Sequence, residues 1–246
     1  MASSTRATWR ATPLCRVCAR TGAHDCRQRD PAVSADDCLN PMLYPKDSQP
    51  FGKSMSSWAE LNWQWIYARP SDHNPYIDPT GADCAVDQSG PVWQLAPIAA
   101  MMSGTYTRAC TIPRGKAVFL QIGSVANDWP CPDPAFAPQP GQSLYDFLVA
   151  DARGFNMVTK LDLTLDGRPI FNPKDYIYTS GDLFALKGDA SEAQFDPCIT
   201  GAYQPSVMYG YFMMFRPMSP GLHTIVRHNH DSDGKDLTFI YHLTVR

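Results

Sequence analysis

Leu222-His-Thr-Ile-Val-Arg-His-Asn-His-Asp-Ser-Asp-Gly-Lys-Asp-Leu-Thr-Phe-Ile-Tyr-His-Leu-Thr-Val245 is the stretch from which the fold is read. Two runs rich in β-branched and aromatic residues flank Asp231-Ser-Asp-Gly-Lys235, the composition of a hairpin turn. A two-residue turn at Asp233-Gly234 pairs Val226 with Tyr241, Thr224 with Leu243 and His228 with Phe239. Leu237, Phe239, Tyr241, Leu243 and Val245 then share one face, which should point into a core. His223, Ile225 and Arg227 fall on the other face with Ile240 and His242.

Upstream, further short strands are expected at 91–96, 116–122, 157–165, 183–187 and 206–216, with Asp166-Gly167 as a tight turn. Only two helices break this pattern. Ser57-Trp-Ala-Glu60 reads as a capping box opening a helix that stops near Ala68, because Pro70 disfavours helix at Arg69. Trp58, Leu61, Trp65 and Ala68 mark its buried face, and Trp63 and Tyr67 a second stripe. The second helix starts at an Ser143 N-cap with Asp146 at N3 and ends at Gly154. Before it, five Pro between Trp129 and Pro140 predict a stiff surface loop.

Composition agrees. Of 24 acidic residues all but Glu60 and Glu192 are Asp, and there are 22 Pro and 16 Gly, which favour turns over helix interiors. The fold class expected is mainly β: an antiparallel β-sandwich, jelly-roll-like, with two short helices. Residues 41–246 read as one such domain. Residues 1–40 read as a basic, Cys-containing leader of disordered or organelle-transit type. Six Arg against Asp25 and Asp30 in the first 30 residues leave the body more acidic than the net charge of -3, which argues against nucleic acid as a partner. No apolar run reaches the length of a membrane span.

The eight Cys form two groups. Cys15-Arg-Val-Cys18, with Cys26 and Cys38, is half of a zinc knuckle without the second CxxC. Cys84, Cys110, Cys131 and Cys198 sit beside turn residues and read as disulfides, 84–110 and 131–198 being the favoured pairing, in an oxidising and hence secreted or extracellular setting.

Candidate ligand-binding residues are the aromatics Trp63, Tyr67, Tyr76 and Trp93, with His73, Asp78 and Asp83 in a turn-rich loop where Asx-turns are the simplest role. His228 and His230, at i and i+2 on one strand face, with Asp231 and Asp233, form a candidate zinc or calcium site. The calcium-loop register would put Ile240 where a bidentate Glu is needed, so an ordinary turn is favoured and no cofactor is required. Nucleophile-elbow, phosphate-loop, dinucleotide and HExxH patterns are absent. The expectation is a module binding carbohydrate or another surface ligand. The alternative is a hydrolase or lyase, metal-assisted, using His and Asp of the 72–83 loop or the hairpin.

Several motifs occur in order: Trp58 with Trp63-Gln-Trp65, Asn74-Pro-Tyr-Ile-Asp-Pro-Thr-Gly-Ala-Asp-Cys84, Gln88-Ser-Gly-Pro-Val-Trp93, Cys110-Thr-Ile-Pro-Arg-Gly-Lys116, Leu165-Asp-Gly167 and Pro217-Met-Ser-Pro-Gly-Leu-His-Thr-Ile225. Over 57–246 the chain resembles a group of mostly secreted bacterial β-sandwich proteins ending in a similar hairpin and having no established activity. The resemblance implies fold and compartment, and no catalytic residues. The basic leader departs from the signal peptide such relatives carry.

Overall fold

The computed structural model describes residues 39–99, 102–155 and 158–246. Residues 1–38, with Cys15, Cys18, Cys26 and Cys38, lie outside the described residues, whereas Asn40, at the end of the expected leader, is buried and bonds to Phe171 and Tyr176. The described chain runs through helix α1 (Met55–Tyr67), strands β1 (Val92–Leu95), β2 (Gly104–Ile112) and β3 (Ala117–Asp128), and helix α2 (Leu144–Gly154). It continues with β4 (Val158–Leu165), β5 (Arg168–Pro169), β6 (Ile177–Thr179), β7 (Phe184–Lys187), β8 (Tyr203–Phe215), β9 (Gly221–Asp231) and β10 (Asp236–Val245).

The strands form two sheets. One has the order β1-β3-β8-β6, with β7 also on β8; the other has the order β2-β10-β9-β4-β5. Among the described residues the expected mainly β sandwich with two α-helices is what forms. Its ladders are not all antiparallel: β1 runs parallel to β3 and β2 parallel to β10, so both sheets are mixed. Two strands, β2 and β6, are not expected from the sequence, while β5 pairs with β4 across the expected Asp166-Gly167 turn. β2 is hidden because its inward positions include Arg108 and Cys110, which break an apolar alternation while being buried.

Leu120, Met213 and Phe215 of the first sheet meet Leu163, Ile225, Phe239 and Leu243 of the second in the main core. The opposite face of the first sheet is also covered. Phe119, Phe212 and Met214 pack under Met55, Trp58, Trp63 and Ile66 of α1. A sheet buried on both faces cannot alternate, and β8 accordingly shows six buried residues in its last six positions. β10 has one solvent face and alternates as expected. α2 packs Leu148, Val149 and Ala152 on Val207, covering the far end of β8.

Helix starts differ in detail. α1 begins three residues before the capping-box reading: Ser54 is the N-cap and its hydroxyl accepts from the Ser57 N–H at 3.1 Å. Met55 is thereby buried, as are both aromatic stripes, while Ala68 is exposed at the C-cap. In α2 the Ser143 cap is as expected, but Gly154 is the last helical residue and Phe155 the C-cap.

The hairpin needs a correction. Tyr241 pairs with Ile225 and Leu243 with His223, one residue off the two-residue-turn register. The turn has three residues. Asp231 N–H donates to Lys235 O, Gly234 N–H donates to Asp231 O, and Gly234 takes a left-handed conformation at φ 86°. One step reverses the faces of β9, so Ile225, Arg227 and Asn229 point inward and are buried.

This buries a guanidinium in an apolar core, and β3 supplies its acceptor. The β3/β8 register slips between Gln121 and Gly123, leaving Ile122 as an extra, bulged residue. Arg227 Nη1 donates to the Ile122 carbonyl, tying one sheet to the other. Its Nε and Nη2 donate to Asn229 Oδ1 at 3.0 and 2.8 Å, and the guanidinium carbon lies 3.8 Å from the Phe239 ring centroid. Burial pulls its pKa down to about 10, so it stays charged at neutral pH.

Opposite the bulge, Gly210 pairs with Ser124 at φ 147°. A Cβ there would lie 2.3 Å from Ser124 Cβ and 2.4 Å from the Gly123 carbonyl oxygen. Both disulfides are those favoured from sequence, Cys84–Cys110 and Cys131–Cys198, closing separations of 26 and 67 residues. Loop-entropy arithmetic assigns them about 3.5 and about 4.4 kcal/mol.

Gly210→Ala is expected to cost about 3 kcal/mol or more in urea unfolding, through steric overlap and backbone strain together. A Gly234→Ala control in the open turn has room for a Cβ and strains only the backbone, so its loss should be clearly smaller. Equal losses would show that the close approach at Ser124 is unimportant.

Candidate functional site

Three of the four candidate aromatics are buried. Trp93 lies in the core between the sheets, and Trp63 and Tyr67 are buried where α1 packs on the first sheet. They do not form the exposed sugar platform that the sequence suggested, because α1 is covered on both stripes. Trp63 nevertheless stacks on Tyr67 at 5.3 Å and meets Tyr76 edge-on at 5.7 Å, and these three rings line a cleft of about 370 Å³.

Asn127 and Asp128 at the end of β3, Asp151 of α2, and Asp196 in the β7–β8 connection contribute to its polar lining. A second depression of about 240 Å³, lined by Gln121, Arg227, Asn229 and Phe239, adjoins it. The two share Tyr76, Ser124, Val125 and Phe155, so they form one continuous groove. Phe155, 61% exposed, is the solvent-facing aromatic of this rim.

The carboxyl groups of Asp128 and Asp196 sit in different surroundings. Asp196 Oδ2 accepts from the Tyr67 hydroxyl at 3.1 Å, and Oδ1 accepts from the Cys198 N–H at 3.0 Å. Asp128 is 2% exposed, and its Oδ2 has no hydrogen-bond partner. Burial, and then the negative charge of Asp196, push its pKa up from 3.8 to about 7. The Tyr67 hydroxyl is pushed well above its ordinary value by burial first and by Asp196 next.

Donors are unequal too. Of the three Trp on α1, Trp58 gives its indole N–H to Pro50 O and Trp65 to Val86 O, both at 2.9 Å. The Trp63 N–H has no acceptor, and among these three indoles Trp63 is the one lining the cleft. The Cys131–Cys198 disulfide holds these parts together: Cys131 follows Asp128 by three residues, and Cys198 follows Asp196 by two. Gln204 Nε2 donates to both Pro130 O and Cys198 O at 3.1 and 2.9 Å.

The remaining candidates are occupied structurally. Asp78 accepts from the Thr80 N–H and hydroxyl and from the Asp83 N–H, the Asx-turn role. Arg108, buried, ties this loop to the exit of β1 by donating to Pro75, Ala96 and Pro97 carbonyls, with Asp78 3.8 Å away. His73 is exposed, with Nδ1 3.6 Å from Asp83.

Of the four metal candidates, His228 and His230 both face Asp236, while Asp231 and Asp233 turn elsewhere. His230 Nδ1 meets Asp236 at 2.8 Å and His228 Nδ1 meets the Thr238 hydroxyl at 3.0 Å. Asp231 accepts from Asn229, and Asp233 pairs with Lys235 in the turn. No group of three or more His, Cys, Asp or Glu suited to a metal occurs among the described residues.

Ser219, His223 and Asp166 have the order of a hydrolytic triad, with His223 Nδ1 2.8 Å from Asp166. Nε2, however, lies 2.8 Å from the Ser219 carbonyl and 3.5 Å from its hydroxyl. An imidazole donating to that carbonyl is not positioned to take the hydroxyl proton. The contact clamps the Asp166-Gly167 turn to the segment before β9.

Asp128 and Asp196 escaped the sequence reading because they lie far apart in the chain and look like ordinary turn residues. The surviving signal was their proximity to Cys131 and Cys198. No family model matches the chain, and no curated protein matches it. The chain is similar to a solved structure described as "Structure of PbICP-C in complex with falcipain-2", at 13% identity and TM-score 0.25, over 64% of this chain and 100% of that chain. At that TM-score the likeness carries no argument.

The raised pKa of Asp128 has a stability consequence. Between pH 3.8 and about 7 the unfolded chain has released this proton and the folded chain has not, so stability falls as pH rises through that window. The difference corresponds to about 4 kcal/mol. Asp128→Asn should unfold at higher denaturant than the parent above pH 7, with the difference vanishing toward pH 3.8. Parallel pH profiles for parent and variant would refute the assignment.

Proposed function

We propose that the protein is a secreted, disulfide-stabilised β-sandwich that binds a polyhydroxylated ligand, a glycan, in the Trp63–Tyr76–Asp128 cleft. One observation carries this reading: the cleft is lined by a buried donor without an acceptor, the Trp63 indole N–H, and a buried acceptor without a donor, Asp128 Oδ2. Ligand hydroxyl groups can meet both, one accepting from the indole N–H and one sharing a hydrogen bond with the carboxyl. The apolar face of a sugar ring suits the exposed Phe155 at the rim. The volume is in the range of small-ligand clefts.

Two disulfides in a β-rich chain support an oxidising compartment, and no helix among the described residues is long and apolar enough to cross a membrane. Recovery of the full chain in the culture medium or periplasm of an expressing cell, with both cystines oxidised, is the expected result for secretion. Reduced protein confined to the cytosol would count against it.

Binding is tested by titrating the full chain with defined oligomers of glucose, N-acetylglucosamine, xylose, mannose and galacturonate, followed by calorimetry and Trp fluorescence. At least one should bind, and Asp128→Ala should weaken it about tenfold or more, because a buried hydroxyl–carboxyl bond is lost. Phe155→Ala should also weaken it. Saturable binding that neither variant changes would place the ligand elsewhere, and no binding by any oligomer would refute the glycan reading.

A further inference from the structure

The cleft holds more than binding needs. A polyol is recognised well by carboxylates, yet of the three carboxyls here Asp128 is desolvated with its Oδ2 unpartnered, while Asp196 is braced by a hydroxyl and a backbone N–H. A disulfide with no role in either sheet fastens their two segments together. We infer that Asp128 and Asp196 form an acid/base pair and that the cleft hydrolyses the glycosidic bond of the ligand it binds. The inference rests on the glycan reading of this cleft.

The division of labour follows from the surroundings. Asp128, protonated below about pH 7, gives its carboxyl proton to the glycosidic oxygen as the bond from the anomeric carbon to that oxygen breaks. Asp196, oriented by the Tyr67 hydroxyl and the Cys198 N–H, takes a proton from water as the water oxygen bonds to the anomeric carbon. Two free hydroxyl groups result, one water is consumed, and no electrons are transferred. The proton gained by Asp196 and the one lost by Asp128 are exchanged through solvent. The other titratable groups lining the cleft are Tyr67, Tyr76 and Asp151. Burial raises both tyrosine hydroxyls, so they remain neutral donors through this cycle. Asp151 accepts from Asn127 Nδ2 at 2.7 Å, which keeps it engaged with the wall.

The rival candidate for hydrolysis, Ser219–His223–Asp166, lines neither part of the groove. The Arg227 depression next to the pair gives the cleft a basic end, but Asn229 links that guanidinium to Asp231, so it carries no separate site.

The test uses whichever oligosaccharide binds in the titration above. The full chain is incubated with it, and new reducing ends are measured. The parent should release them, with kcat/KM falling above about pH 7 as Asp128 ionises. Asp128→Asn and Asp196→Asn should each lose about a hundredfold or more in kcat while still binding. A structural role would not distinguish leaving groups, so the decisive readout is the 2,4-dinitrophenyl glycoside of the same sugar. Its departure needs no proton, and it should restore turnover to Asp128→Asn and not to Asp196→Asn. Binding without any release of reducing ends by the parent overturns hydrolysis and leaves the binding reading intact. Release that both variants retain overturns the assignment of the pair. If no oligosaccharide binds, both readings fall together.

Discussion

The donation from the Arg227 guanidinium to the Ile122 carbonyl is the contact on which the sandwich turns. It joins the sheets at a bulge, where the extra residue has no partner in its own ladder. A buried cation is tolerable only when its donors are used, and a bulged carbonyl only when something donates to it. Each solves the other's problem. The π-face of Phe239 and the amide of Asn229 complete the cage. The bulge also lets β8 approach β3 closely at Gly210, and the groove opens directly beside it.

The groove itself is assembled from distant pieces. α1 supplies Trp63 and Tyr67, the end of β3 supplies Asp128, and the connection into β8 supplies Asp196. None of these is close in sequence to the others. Cys131–Cys198 and Gln204 close the last gap, between the two carboxyl-bearing segments. The other disulfide, Cys84–Cys110, instead fastens the Asp78 loop to β2, beside the buried Arg108. One disulfide therefore braces the groove and the other a wall of the sandwich.

Most of the architecture was legible because it rests on local rules. Alternation identified β10, capping identified the start of α2, and Cys beside turn residues identified both disulfides. The failures have physical causes. β9 was read on the wrong face because Gly234 permits a three-residue turn, and one residue of slip inverts a strand. β2 was missed because its inward side chains include a charged Arg that tertiary contacts neutralise. The exposed platform expected of Trp63, Tyr67 and Trp93 does not exist, since nothing local marks a helix packed on two faces.

The preponderance of Asp, Pro and Gly, together with strand periodicity, determined by itself that this is a loop-rich β protein with few helices and a cystine framework. Those features depend on each residue's own backbone preference and on periods of two to four residues, which a sequence displays directly. Only the tertiary structure decided which Asp leave turn duty for the groove. Turn chemistry explains Asp78, while Asp128 loses its solvent to segments many residues away. Desolvation and charge proximity belong to three-dimensional surroundings, and no spacing along the chain encodes them.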